Sequence, residues 1–424
     1  MDQGNTAFIL LAAALVLLMT PGLAFFYGGL VKAKSVISMM MMSFGAMGLI
    51  GVLWVLYGFA IAFPATDAGT TQLPWTIDWS NLGLTTSLVI PDGASYPPLA
   101  FVAFQATFAI ITVALVSGAI ADRAKFGAWM LFAFLWATIV YFPVASWVFN
   151  FGLNKDGTFS YGGWITHGLQ DVFGVGAIDF AGGTAVHINA GAAALALALV
   201  LGKRVGFQKG AYVPHNPPFV LLGAGLLWFG WFGFNAGSEL AADGTAAVAF
   251  VNTIAAPAAA LLSWLVVEKI RDGKPTSVGA ASGAVAGLVA ITPACAALTP
   301  FWAIVLGLLA GVVCALAIDL KYKLGFDDSL DVVGVHLVGG LLGTLYIGFF
   351  ANGTGLIYSG QFTQLLVQAI AAFTVLVYSF VLAFVIGFAI EKTMGFRVKN
   401  EDEIAGIDTV VHGEEGYVLA DTRD

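Results

Sequence analysis

The sequence predicts an all-α polytopic membrane protein. It is expected to have 11 transmembrane helices, an inverted five-helix repeat, the N terminus outside and the C terminus in the cytoplasm. Three observations predict this class. Of 424 residues, 59% are hydrophobic and only 10% charged, with a mean hydropathy of +0.91; soluble domains carry roughly 25% charged residues. Apolar runs long enough to cross about 30 Å of hydrocarbon recur along the chain. The basic residues then sort to one side of the resulting map.

The first run, Phe8 to Val31, is too long and too weakly charged at its start for a signal peptide, so it is read as the first span. Pro21 and Gly28-Gly29 mark where it is expected to kink or thin. The second, Val36 to Phe63, contains Met39-Met40-Met41-Met42. Consecutive positions point around a helix, so the methionines read as packing rather than a ligand patch. A polar loop over 64–98, free of Lys and Arg, follows. Further spans are expected at about 99–120, 129–149, 178–201, 218–239, 245–268, 277–292, 301–319, 331–351 and 362–391. The 277–292 run is short and interrupted by Gly279, Gly283 and Gly287. Cys295 and Cys314 are the only cysteines and fit buried thiols better than a disulfide framework or a thiol-rich metal site.

On this map every Lys and Arg falls on one face except Lys155. The positive-inside rule makes that face cytoplasmic. The loops 64–98 and 150–177 then lie outside, with Trp75, Trp79, Trp147 and Trp164 as candidate interface anchors. Asp122, Arg123 and Lys125 form a cytoplasmic turn whose expected task is positive-inside placement. Residues 392–424 carry eight acidic and four basic side chains. They form a cytoplasmic tail, partly ordered by docking on the bundle. The membrane domain is 1–391, with repeats at about 7–201 and 218–351 and helix 11 at about 362–391. Nothing in the charge pattern suggests a nucleic-acid surface.

The two halves echo each other. Asp179-Phe180-Ala181-Gly182-Gly183-Thr184-Ala185-Val186-His187-Ile188-Asn189-Ala190-Gly191 opens the fifth span, and Val335-His336-Leu337-Val338-Gly339-Gly340 lies in the tenth. Asp179 and Asp331 precede the two histidines at unequal offsets, eight and five. Five spans per unit is odd, so the second unit enters the membrane inverted, a common transporter plan. Helices 5 and 10 become symmetry mates, and His187 can approach His336. Polar groups are expensive in hydrocarbon and usually face a bundle interior or a pore. One intramembrane histidine is more often packing than function; two at related positions of inverted halves point to a pathway. No Cys or Glu cluster with metal spacing accompanies them.

Phe232-Gly233-Phe234-Asn235-Ala236-Gly237-Ser238 and Phe104-Gln105-Ala106-Thr107-Phe108 supply rings and a hydroxyl near the outer ends of spans 6 and 3. Aromatic faces attract a partly dehydrated cation, although each stretch alone reads as bundle packing. Asp179 is either an N-cap or an anionic field at the entrance. Asp331 caps or orients the helix beneath His336. Residue chemistry alone does not identify the solute.

Four stretches carry a resemblance over nearly the whole chain. They are Pro21-Gly22-Leu23-Ala24-Phe25-Phe26-Tyr27-Gly28-Gly29-Leu30-Val31, the Asp179 to Asn189 stretch, Gly230-Trp231-Phe232-Gly233-Phe234-Asn235-Ala236-Gly237-Ser238, and Gly334-Val335-His336. In combination and order the sequence resembles the ammonium transporter family, which includes methylammonium permeases and Rhesus proteins. The resemblance implies a homotrimer in the cytoplasmic (inner) membrane, one pore per subunit, and no enzyme activity or cofactor. It implies an outer ammonium site at Phe108, Ser238 and a span-4 ring, supported by Asp179. The ring position corresponds to Phe149, where bacterial relatives often carry Trp; Trp147 is two residues earlier. Phe108 and Phe234 match the stacked phenyl gate, and His187 and His336 the twin-histidine pair. Trp231 and Leu227 match pore-lining positions, and Thr292 a residue beside the pore. Gly406-Ile407-Asp408 through His412-Gly413-Glu414 looks like the segment through which a trimeric PII-type signal protein plugs the pore. The implied activity is uptake of NH4+, passed as NH3 with a separate proton relay, with methylammonium as a further substrate. An electroneutral NH3 or small-gas channel is the alternative. An ammonium sensor is another, although the tail is short for a signalling domain.

Overall fold

The computed structural model describes residues 1–65, 75–150, 162–207 and 213–417. Lys155, Lys209 and Arg423 lie outside the described residues, as do parts of both long loops and the end of the tail. The chain is helical: α1 (Gln3–Leu30), α2 (Ala33–Ala62), α3 (Pro98–Ile120), α4 (Phe126–Phe149), α5 (Gly183–Leu201), α6 (Pro217–Glu239), α7 (Gly244–Arg271), α8 (Ser277–Ile291), α9 (Pro300–Leu324), α10 (Val333–Phe350) and α11 (Thr363–Thr393). Ten of these are long and apolar enough to cross a membrane; α8, with 15 residues, is shorter. Among the described residues there is no strand, only an isolated antiparallel bridge between Ala124 and Arg397.

Local chemistry sets the helix starts. Asp2 accepts from the Asn5 amide at 2.8 Å and begins α1 five residues ahead of the expected Phe8. Proline occupies the first position of α3, α6 and α9, where its missing N–H costs nothing. Asn216, Asp243 and Thr276 cap α6, α7 and α8. Pro21 does not break α1, which stays helical through it. Gly29 permits close approach instead: a Cβ there would lie 2.7 Å from the Asn216 carbonyl oxygen at the start of α6.

Packing repeats between the halves. α1 packs along α6, and α5 against α10. The α1–α3, α2–α3 and α2–α4 contacts recur as α6–α8, α7–α8 and α7–α9. This is the pattern a two-fold relation produces. α11 lies outside the repeat and packs on α5, α10 and α4.

One expectation fails here and one residue does more than expected. Trp147 is 5% exposed and meets Trp164 and Tyr378 at tilted angles, so it packs α4 on α11 rather than anchoring an interface. Arg123, expected only to set topology, is fully buried. Its guanidinium donates to the Ala119, Ala121 and Asp327 carbonyls and to Ser329 Oγ, tying the end of α3 to the approach to α10. Burial pushes it down to about 10, so it stays protonated at neutral pH. Beside it, buried Arg204 pairs with Asp122 at 3.0 Å and Asp327 at 2.9 Å. Buried pairs of this kind specify geometry more than they stabilise.

The tail docks, as the sequence suggested. Val398 N donates to Arg123 O, and Lys125 N to Phe396 O. Glu403, in α12 (Asn400–Ala405), accepts from Arg397 at 2.7 Å and from the Val205 amide at 2.6 Å. Asp408 accepts from the Ile37 and Ser38 amides at the start of α2, and Tyr417 meets His215 and Asn216.

Candidate functional site

The two histidines sit in matching local structures. Each lies in a π-helical turn, Gly183–Ile188 in one half and Val333–Leu337 in the other, which forms the start of α5 or α10. Such turns widen the helix and are frequent at functional sites. A carboxylate precedes each. Asp179 accepts from the amides of Gly182, Gly183, Thr184 and Ala185 and from the Thr184 hydroxyl. It therefore stands before the helix, whose start shifts from the expected 178 to 183. Its carboxylate caps the turn that carries His187.

In the second half the structure corrects the pairing. Asp331 is not the counterpart of Asp179; its carboxylate pairs with Lys321 at 2.6 Å. Asp328, eight residues before His336, accepts from the Val333 amide at 2.7 Å. The offset is then eight in both halves. Three residues after each acid the backbone turns left-handed, at Gly182 (φ 119°) and Asp331 (φ 64°). Glycine tolerates that freely and Asp more readily than most.

Glycines bring the rings together. Gly191 and Gly340 each lie four residues after a histidine. A Cβ on Gly191 would sit 2.6 Å from Leu337 Cβ, and one on Gly340 3.1 Å from His187 Cβ. The crossing leaves His187 Nδ1 3.2 Å from His336 Nδ1, with ring centroids 5.3 Å apart. Two neutral rings satisfy this contact when one Nδ1 carries hydrogen and the other accepts. Among the described residues His187 Nε2 has no hydrogen-bond partner.

Rings continue away from the pair. Trp231 stacks on His187 at 5.6 Å and Phe234 lies 5.6 Å from Trp231. Phe108 stacks on Phe234 at 4.1 Å and 12°. That spacing is van der Waals contact and leaves no gap between the two rings. Phe149 meets Phe108 edge-on at 6.1 Å, whereas Trp147 faces α11. Ser238 is half-buried one turn beyond Phe234 and donates to its carbonyl at 2.8 Å. Thr292 accepts the Trp231 indole N–H at 2.8 Å and so holds the ring from behind.

Beside Phe234 and the two histidines lies a narrow cavity. It is lined by Leu227, Trp231, Phe234, His187 and His336 together with Met19, Leu23, Phe26, Ile111, Leu115, Val186 and Val285. A second cavity shares Phe26, Val285 and His336 and is also lined by Ser282 and Asp331. Sequence reasoning missed the α1 and α3 lining, because apolar residues in an apolar helix carry no signal. Only Leu23 and Phe26, inside a quoted stretch, offered a hint.

A multi-helix membrane protein with an apolar passage broken by paired imidazoles belongs to the class of transport proteins. The model of the Ammonium Transporter Family matches residues 7–417. The ammonium transporter of Mycobacterium tuberculosis (strain ATCC 25618 / H37Rv) is 55% identical, covering 99% of this chain and 91% of its own. Among solved structures, a "Sensor Amt Protein" superposes with a TM-score of 0.85 at 28% identity, over 96% of this chain and 98% of its own. Saccharomyces cerevisiae Mep2 does so with a TM-score of 0.82 at 33% identity, over 94% and 91%. The chain belongs to the ammonium transporter family.

Proposed function

We propose that the protein takes up ammonium by recruiting NH4+, passing NH3 and relaying the proton separately. The observation that carries this reading is the contact of the two imidazoles at 3.2 Å within an apolar cavity. A bare ammonium ion faces a severe desolvation cost in such a passage, and a neutral amine does not. NH4+ is held at the faces of Phe108 and Phe149 and by Ser238, where aromatic quadrupoles favour a cation. It gives up its proton there, and NH3 moves past the displaced phenyls along Trp231, Leu227 and the histidines. His187 and His336 hand the proton along Nδ1···Nδ1, and NH3 is reprotonated in the cytoplasm. Asp179 acts by holding the α5 turn that carries His187. Methylammonium is a further substrate.

The same reading has 11 spans with the N terminus outside and the C terminus inside, and a homotrimer in the cytoplasmic membrane. The tail over 392–424 is a regulatory segment that a PII-type signal protein engages.

The test is an ammonium gradient across proteoliposomes, with current and lumenal pH followed together. A saturable inward positive current is expected, and lost or altered in selectivity in His187→Ala and His336→Ala. Alkalinisation without current would replace this reading with electroneutral NH3 conduction. The superposition on a sensor supports a second reading, for which the outcome is saturable ammonium binding with neither current nor alkalinisation.

A further inference from the structure

Residues 174–182, which lead into α5, are not helical. Irregular backbone in a membrane bundle needs its N–H and C=O groups paired within the protein. Helix α11 supplies partners. Gln368 is fully buried. Its Oε1 accepts from the Ile178 amide at 2.6 Å, and its Nε2 donates to the Ile178 carbonyl at 2.8 Å. The same Nε2 reaches the Thr344 carbonyl on α10 at 3.1 Å. Gln364, one turn earlier, donates to Gly176 O at 3.0 Å and to Gln368 Oε1 at 3.2 Å. One carboxamide thus closes both peptide groups of the residue just before Asp179 and links them to the helix that bears His336.

We infer that Gln368 is a positioning residue for the imidazole pair. Its clamp on Ile178 fixes Asp179, and Asp179 fixes the turn carrying His187. This rests on the proposed reading of the cavity as the conduction path. Phe108 and Ser238 stand on other helices, so the clamp governs passage rather than recruitment.

The test uses full-length protein in proteoliposomes, with amide exchange followed by mass spectrometry in parallel. Gln368→Leu is expected to lower the maximum ammonium current at least about tenfold, to leave the half-saturating concentration within about twofold, and to speed exchange over 180–186. Gln368→Glu adds a reading that bulk destabilisation would not give. A protonated Glu can both accept from Ile178 N–H and donate to a carbonyl, whereas an ionised one faces two carbonyls without a donor. Its current relative to wild type should therefore rise at least about threefold as pH falls from 8 to 5.5. An unchanged maximum current and unchanged exchange in folded Gln368→Leu, or a flat Gln368→Glu ratio, overturns the inference. If Gln368→Leu does not fold, the Gln368→Glu ratio decides. If wild type carries no current yet exchange accelerates in the variant, the transport reading falls and the clamp stands.

Discussion

Single side chains divide here by whether their hydrogen bonds close. Trp231 is held by one bond to Thr292. Thr292→Val keeps the volume and removes the acceptor, leaving a buried indole N–H unpaired at a cost of about 1–3 kcal/mol. The expected result is a folded protein with a lower melting temperature and a reduced ammonium current, while Thr292→Ser retains both. The two helix-starting acids differ in the same way. Asp179 accepts at both oxygens, whereas Asp328 accepts at Oδ2 and its buried Oδ1 has no partner among the described residues. Burial pushes the Asp328 carboxyl up to about 6. Because this lies above the unfolded value near 4, its stabilising contribution is fully present below about pH 4 and is lost as pH rises through about 6. Wild type should therefore lose melting temperature relative to Asp328→Asn between pH 4 and 7. A constant difference between the two proteins would refute this.

Among the elements, the crossing of α5 and α10 sets the distance between the imidazoles. A Cβ on Gly191 would meet Leu337 N at 2.5 Å, tighter than a packed core accepts, whereas one on Gly340 would meet its neighbours at 3.1 Å. Gly191→Ala should cost about 1–3 kcal/mol by overpacking and push the rings apart. Gly340→Ala should cost less. Thermal melts and ammonium currents rank the two; equal effects would mean that the crossing is not the constraint. The sequence carried much of this arrangement. Apolar runs located α1 to α11 to within a few residues, because ~20 apolar residues have few alternatives in a chain so poor in charge. The histidine echo named the right helices. The matching acid was missed because Asp331 lies nearer His336 in sequence, and only its left-handed backbone and its bond to Lys321 remove it from the cap. The structural role of Arg123 was not legible because its carbonyl partner at Asp327 lies more than 200 residues away in the sequence. The Phe108–Phe234 stack likewise depends on the α3–α6 approach, which no local pattern contains.

At the scale of the whole molecule, charge is divided unevenly. On the proposed orientation the outer side carries Asp2, Asp67, Asp78, Asp92, Asp156, Asp171, Asp179, Glu239 and Asp243 against the single Lys155. The formal net charge of −8 therefore lies wholly on that side, and the cytoplasmic side balances. A one-signed face raises the local concentration of the opposite ion before any contact is made. The field reaches ~30 Å at 0.01 M salt and ~10 Å at 0.1 M. In right-side-out vesicles, raising external ionic strength tenfold with an impermeant salt should raise the half-saturating ammonium concentration about two- to fivefold. The maximum current should stay unchanged, because the apolar cavity beyond Phe108 and Phe234 is out of reach of mobile ions. Salt inside the vesicle should have no such effect, since that face is neutral. Sensitivity to internal rather than external salt would reverse the proposed orientation, and insensitivity to both would place recruitment in the aromatic contacts alone.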